Sequence, residues 1–298
     1  MLTYFLSNIE ELRTLFSIEL PNVVPPRDFA RFPRYGLARY APGLRRIRTT
    51  GGAGFVGSSL ALAFKFNRST AKVIVLDKLK RRGSELDLEQ LRRSGVEFAR
   101  GDVRVSDDVA AIGPVDLLIE ASAEPSVHAG YDENPSYLIH SNLVGALNCL
   151  EQARRHGWTF VFLSSSRVYP IALLRALPLE RTATRFVLRS ESDLPGVTPP
   201  GISEQFPLSG NRSLYGATKL AAELLIEEYK TIYGVRELIN RCGVISGPWQ
   251  MGKVDQGFIV LWMARHLLDG PLAYTGFGGE GSQVRDILHV DLYDLLAG

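Results

Sequence analysis

From about residue 44 the chain alternates between short apolar runs and longer stretches in which apolar residues recur every three or four positions. The runs predict strands at 44–50, 72–76, 96–99, 115–121, 160–164 and 235–242, the second reading K-V-I-V-L up to Asp77. Between them the helical period predicts helices at 54–67, 86–93, 141–156 and 215–233. In the third, Leu143, Ala146, Leu147 and Leu150 share one face and Gly157 supplies the stop. Strands that are apolar throughout are covered on both faces, and their alternation with long helices predicts a parallel sheet between two helical layers. The fold class is α/β, a doubly wound parallel sheet.

Three segments break this rhythm. Residues 1–48 hold eight arginines against Glu10, Glu11, Glu19 and Asp28, and the opening apolar run is too short for a secretory signal. We expect a leader of uncertain order over 1–43, then a nucleotide-binding domain at 44–245. A proline-rich insert at 170–214 predicts a surface excursion over the carboxyl edge of the sheet. Residues 246–298, with a Gly-rich character, an amphipathic helix at 256–268 and a final helical start, predict a second, smaller layer. The first strand carries a defect. It reads L-R-R-I-R-T-T, and an arginine in a strand covered on both faces must find a partner or the strand frays.

Composition narrows the function. With 298 residues, 45% hydrophobic and 22% charged, the chain can bury a full core without disulfides or metal. Cys149 and Cys242 stand in no ligand pattern, so no metal site is expected and a reducing, cytoplasmic compartment is. The net charge of +2 comes from scattered arginines, which predicts no nucleic-acid partner, and no apolar run is long enough to predict a membrane-spanning helix.

Candidate chemistry lies at two places. Thr50-Gly51-Gly52-Ala53-Gly54-Phe55-Val56-Gly57 follows a strand and opens a helix, spacing that brings backbone N–H groups and a helix N-terminus to a pyrophosphate. Asp77, at the end of the next strand, can take ribose hydroxyls, which favours NAD; Lys78, Lys80, Arg81 and Arg82 close behind it leave NADP open. Tyr215 and Lys219 are one helical turn apart, on a helix that follows the strand ending in Ser164-Ser165-Ser166. A phenol with an unperturbed pKa of about 10 is a poor base, and a neighbouring ammonium would lower that value.

T-G-G-A-G-F-V-G, G-D-V-R (101–104), S-S-S-R-V-Y (164–169), Y-G-A-T-K (215–219) and V-R-D-I-L-H-V (284–290), in this order, resemble the extended short-chain dehydrogenase/reductases. More narrowly they resemble the NAD-dependent sugar-nucleotide epimerase/dehydratases. The D-Q-G of 255–257 and the G-S-Q-V-R-D-I-L-H that follows are similar to CDP-paratose/CDP-tyvelose 2-epimerases.

The resemblance, covering 47–298, implies a Rossmann domain with a small, truncated substrate domain, bound NAD, a nucleotide-sugar substrate and a homodimer. It implies that Gly51, Gly54, Phe55, Val56, Gly57 and Asp77 hold the cofactor, that Asp102 and Val103 meet the adenine, and that Ala121 and Ala123 line the site. Tyr215 would be the catalytic base, Lys219 would hold the nicotinamide ribose and tune Tyr215, and Ser166 would hold the reacting hydroxyl. Arg285 would bind the substrate diphosphate. Asn142 is assigned a structural role only. The reaction implied is epimerisation by transient oxidation. Sugar 4,6-dehydratases carry an Asp-Glu pair after the strand-end serine or threonine, where this chain reads Arg167-Val168, so dehydration is disfavoured. A nucleotide-sugar dehydrogenase or reductase, and a non-catalytic NAD-binding protein, are the alternative readings.

Overall fold

The computed structural model describes residues 43–131, 134–189, 192–198, 201–251, 257–274 and 279–291. Nearly all of the expected leader, and the final helical start, lie outside the described residues.

The chain runs β1 (Arg46–Thr50), α1 (Phe55–Asn67), β2 (Lys72–Asp77), α2 (Asp87–Arg93), β3 (Glu97–Arg100), α3 (Ser106–Ala110) and β4 (Leu117–Glu120). It continues with α4 (Ser136–Ile139), a π-turn at His140–Val144, α5 (Gly145–His156) and β5 (Thr159–Ser165). A 3₁₀ turn, Ser166–Val168, leads into the insert, which holds α6 (Ile171–Arg175), the hairpin β6 (Leu179–Arg181)–β7 (Phe186–Leu188) and the hairpin β8 (Val197–Thr198)–β9 (Gly201–Ile202). Then come α7 (Leu214–Tyr233), β10 (Glu237–Cys242), β11 (Val244–Ser246), α8 (Phe258–Leu267) and β12 (Ile287–His289).

The six-stranded sheet has the order β10-β5-β4-β1-β2-β3 with every pair parallel. This is the doubly wound arrangement, and its strand order reverses between β1 and β4, the point at which ligands bind in such sheets. Period-two alternation sends Ile47, Val73, Val75, Leu117, Ile119 and Val161 to one face, where they meet Leu60 and Phe64 of α1 and Leu91 of α2. Leu76, Leu118, Phe160 and Phe162 face the other way, onto Ala146, Leu150 and Ala153 of α5 and Ala222 and Ile226 of α7. Helix α7 starts where the Ser213 hydroxyl accepts the Gly216 N–H at 3.1 Å, a serine N-cap, and ends at Gly234 in the left-handed region.

The first strand does not fray. Arg48 is fully buried, its strand holds continuous register with β2 and β4, and one guanidinium nitrogen donates to the Ile112 carbonyl. The other two nitrogens have no partner. Burial lowers the Arg48 pKa to about 9, against a smaller opposing pull from Cys149.

Candidate active site

The turn after β1 is built for close approach. Gly51 has φ +60°, and a Cβ there would lie 2.8 Å from the Ser122 Cα and 2.9 Å from the Ala121 carbonyl oxygen. Only glycine lets the β1 turn touch the segment leaving β4. A Cβ on Gly57 would collide with the Gly51 carbonyl, so the first turn of α1 also packs directly on the loop. Gly54 meets nothing but the Gly51 carbonyl, at 3.2 Å, which leaves its outer side open before the N-terminus of α1. A backbone cradle facing a helix N-terminus suits a pyrophosphate. Phe55 and Val56 are half-buried in the first turn of that helix, Val56 against the core.

Asp77 stands at the rim, its carboxylate accepting the Ala53 N–H at 3.1 Å and the Leu79 N–H at 2.8 Å. The two lysines behind it are occupied, while Arg81 and Arg82 are exposed. Lys78 donates to Asp102 at 3.1 Å, and Lys78 and Lys80 lie 4.9 and 3.1 Å from the centroid of the Tyr137 ring. A carboxylate at the mouth, with its neighbouring lysines turned elsewhere, suits the free ribose of NAD. Asp102 is partly buried, which alone would raise its pKa, but hydrogen bonds from Arg104 and Lys78 outweigh that and hold it at about 2. The Val103 side chain belongs to the core, packed on Gly145, and its carbonyl accepts from Asn148 at 2.8 Å. Ala121 packs against the first core and the Gly51 turn, and Ala123 is exposed just beyond it. Asn142, in the π-turn, accepts the Glu124 N–H at 2.8 Å and donates to the Glu124 carbonyl and to Thr218, tying this loop to α7.

Tyr215 and Lys219 occupy the start of α7 as expected, but their functional groups part company. Tyr215 is half-buried at the start of α7. Burial raises the pKa of its phenol, opposed by the Ser165 hydroxyl and by the positive charge of Arg167. Lys219 is buried, donates from Nζ to the Leu163 carbonyl at 2.8 Å, and lies 4.5 Å from the centroid of the Phe162 ring. Burial lowers its pKa, while the negative ends of Glu120, Cys242 and Glu223 pull it back up. The expectation that Lys219 lowers the pKa of Tyr215 is therefore corrected in this structure. The ammonium is taken up by the sheet–helix seam, and the cation acting on the phenol is Arg167.

That seam is a second polar layer. Thr50 and Cys149 both donate to Glu120 Oε2, the thiol at 3.3 Å, and Ser164 donates to Glu223. Arg241 grips Glu223 through two nitrogens, the closer contact at 2.8 Å, with the Glu223 carboxylate almost wholly enclosed.

A sequence model of the NAD dependent epimerase/dehydratase family matches residues 47–294. The chain belongs to this family. The relatives it resembles include dTDP-glucose 4,6-dehydratase of Mycolicibacterium smegmatis, 29% identical over 252 residues, covering 83% of this chain and 65% of the relative. CDP-paratose 2-epimerase of Salmonella typhi is 29% identical over 255 residues, covering 83% and 71%. Among solved structures, UDP-glucose 4-epimerase of Thermus thermophilus in complex with NAD is 28% identical, with a TM-score of 0.62, covering 84% of this chain and 72% of that one. The chain thus spans about two thirds of the length of these relatives. The family is NAD-dependent, and the glycine cradle and Asp77 fit that cofactor.

Of the three consecutive serines, Ser166, expected to hold the reacting hydroxyl, belongs to the 3₁₀ turn, whereas Ser165 is the last residue of β5. Ser165 accepts the Arg167 N–H at 3.1 Å, and its hydroxyl also acts on the Tyr215 phenol. The signal lay in the strand's extent, since the apolar run was ended at Ser164 and one further residue would have reached Ser165. Arg285 lies just before β12, half-buried, and its charge is disfavoured by burial and then by Arg167. The adjacent Asp286 favours that charge in turn.

Proposed function

We propose that this chain is a nucleotide-sugar epimerase acting by transient oxidation on tightly held NAD, of the kind that works on CDP-sugars at C2. The observation that carries the reading is the placement of Tyr215 at the start of α7 and Ser165 at the carboxyl end of β5, one strand from the glycine cradle at the β1/β4 switch point. Gly51, Gly54, Gly57 and Asp77 hold the cofactor, with Asp102, Val103, Ala121 and Ala123 along its path. NAD held there would supply the hydride acceptor and donor that epimerisation by transient oxidation requires.

The chain's own residues handle the proton and the orientation. Ser165 donates to or accepts from the reacting sugar hydroxyl and so fixes it against Tyr215, and Tyr215 removes its proton and later gives it back. The positive charge of Arg167 favours the phenolate at the moment it forms. Lys219 completes the site from behind, and an approaching cofactor ribose offers its Nζ an alternative to the Leu163 carbonyl. Arg285 takes the substrate diphosphate.

The residues after Ser165 are Ser166 and Arg167, so on either count of the serines no carboxylate follows to protonate a leaving hydroxyl. This favours epimerisation over dehydration. A homodimer in the cytoplasm completes the reading; no helix among the described residues is long and apolar enough to cross a membrane.

The test is product analysis by mass spectrometry and NMR after incubation with CDP-, UDP-, GDP- and dTDP-hexoses. An epimer of unchanged mass without NADH accumulation is expected, and Tyr215→Phe should lower kcat by at least about a hundredfold while NAD stays bound. Loss of water, net NADH, or full activity in Tyr215→Phe would each refute it.

A further inference from the structure

Glu120 ends β4 as a wholly buried carboxylate, and the side chains that donate to it carry no charge. Thr50, the last residue of β1 before the glycine turn, and the Cys149 thiol of α5, at 3.3 Å, both donate to Oε2. The Ser122 N–H favours the charged form from the loop after β4, and Oε1 has no hydrogen-bond partner among the described residues. The proton and hydride transfers proposed above make no use of this group. A carboxylate so far from water is costly unless a cation stands close by.

Lys219 supplies it. Glu120 is the register partner of Phe162 across β4 and β5, and register partners send their side chains to the same face of a sheet. Phe162 and Leu118, the latter two residues before Glu120, both pack on α5 and α7, so Glu120 points to that face as well. Lys219, on α7, places Nζ over the same Phe162 ring, 4.5 Å from its centroid. Carboxylate and ammonium thus flank one aromatic ring in a layer closed to water. The other groups around them are spent. Glu223, one turn further along α7, is held by Ser164 and by Arg241 at 2.8 Å. Burial pushes the Cys242 thiol of β10 up to about 11 and also raises Tyr215, one turn before Lys219. Arg48 lies on the same face of β1 but gives its hydrogen bond to the Ile112 carbonyl, and it acts on Cys149, whose thiol burial keeps protonated. Glu120 is therefore the carboxylate facing Lys219 that no arginine is bonded to, and it is the strongest influence opposing the cost of burying the Lys219 charge.

We propose that Glu120 is a positioning residue for the cofactor that acts through Lys219, holding the buried lysine as an ammonium able to turn from the Leu163 carbonyl and grip the ribose beside the nicotinamide. This rests on the cofactor role given to Lys219 and deepens it. Hydrogen bonds from an ammonium to ribose hydroxyls are charge-assisted and roughly twice as strong as those from a neutral amine. Thr50 and Cys149 fix the carboxylate, so the counter-charge stays in place while Nζ changes partner. Without it, burial would act on Lys219 with less opposition, and the proton would be lost as pH rises.

The experiment follows release of NAD from the loaded, full-length chain by rapid filtration between pH 6 and pH 9, with no sugar present. Glu120→Gln keeps the size of the side chain and an oxygen for Thr50 and Cys149 while removing the charge. The ratio of its release rate to that of the wild type should climb from about one at pH 6 to about ten at pH 9, the size of one weakened charge-assisted hydrogen bond. Glu120→Asp retains the charge and should show a ratio that does not change with pH. In a Lys219→Met background, Glu120→Gln should no longer alter the pH dependence. Circular dichroism at each pH checks that the variants are folded.

A ratio for Glu120→Gln that is the same at every pH would make Glu120 a strut between Thr50 and Cys149 and overturn the proposal. So would a pH dependence that Glu120→Asp shares, or one that persists in Lys219→Met, since the effect would then not run through the charge on Lys219. A wild-type chain that retains no NAD at any pH would overturn the cofactor role of Lys219 together with the proposal, a result distinct from a flat ratio between two proteins that both hold it.

Discussion

Replacing Arg48 should stabilise this protein. Its guanidinium is fully buried with one hydrogen bond, to the Ile112 carbonyl, and two nitrogens without a partner. The fall of its pKa from 12.5 to about 9 corresponds to a penalty of about 5 kcal/mol on the charged form. The bond to Ile112 recovers about 1.5–3 kcal/mol of this. An isosteric apolar side chain removes both terms, and Arg48→Met should therefore gain about 2 kcal/mol, in line with replacements of other buried ions. For a chain of this size that is a rise of about 3 °C in melting temperature. The pH dependence gives an independent check. The folded pKa is the lower one, so above about pH 9 the unfolded chain holds more protons than the folded one and wild-type stability rises with pH. Urea midpoints of wild type and Arg48→Met at pH 8, 9 and 10 should converge as pH increases. A variant that melts lower at pH 8, or a gap that does not narrow, would show that Glu120 or Cys149 compensates the charge and that the penalty was misjudged.

Two further predictions follow from single residues. Gly51→Ala forces a Cβ to 2.8 Å from the Ser122 Cα at φ +60°; the purified variant should lose bound NAD, measured by release and chromatography, and stoichiometric retention would contradict the cradle. Asp87, whose pKa burial raises to about 6, is the reverse case of a carboxylate stabilised by folding. The folded state holds its proton between about pH 4 and 6, so stability falls as pH climbs through that window and stays lost above it. Asp87→Asn should gain about 2–3 kcal/mol in urea unfolding at pH 7.5 and nothing at pH 4.

The sheet was legible because β2, β4 and β5 are apolar and largely buried, and all six strands lie within two residues of their predicted runs. What escaped lay where that pressure is absent. The helix expected at 141–156 begins at Gly145, after α4 and a π-turn in which the Asn142 side chain is tied to Glu124 and Thr218. The insert is more ordered than a bare excursion. Phe206 is 1% exposed and meets Tyr169 edge to face at 5.5 Å, anchoring two hairpins whose strands are too short to show a period. At the site, the glycine turn, Asp77 and Tyr215 were readable from motif and position. Ser165 was not, because three identical residues carry no phase and a strand boundary is uncertain by one or two residues. Nor was the lodging of Lys219, since spacing fixes which helix face a residue occupies but not the direction of a four-carbon chain.

The short ribbon of β11 and β12 has a consequence for how this protein comes apart. Only three residue pairs join it, Val244–Ile287, Ile245–Leu288 and Ser246–His289, and they lie outside the six-stranded sheet. Arg285 is thus carried just before a short clasp that rests on the first core through Ile245 and Leu288. On the proposed function, grip on the sugar nucleotide and grip on the dinucleotide thus rest on different parts of one polypeptide, and mild denaturant is expected to remove the first before the second, read as lost nucleotide-sugar binding with NAD retained.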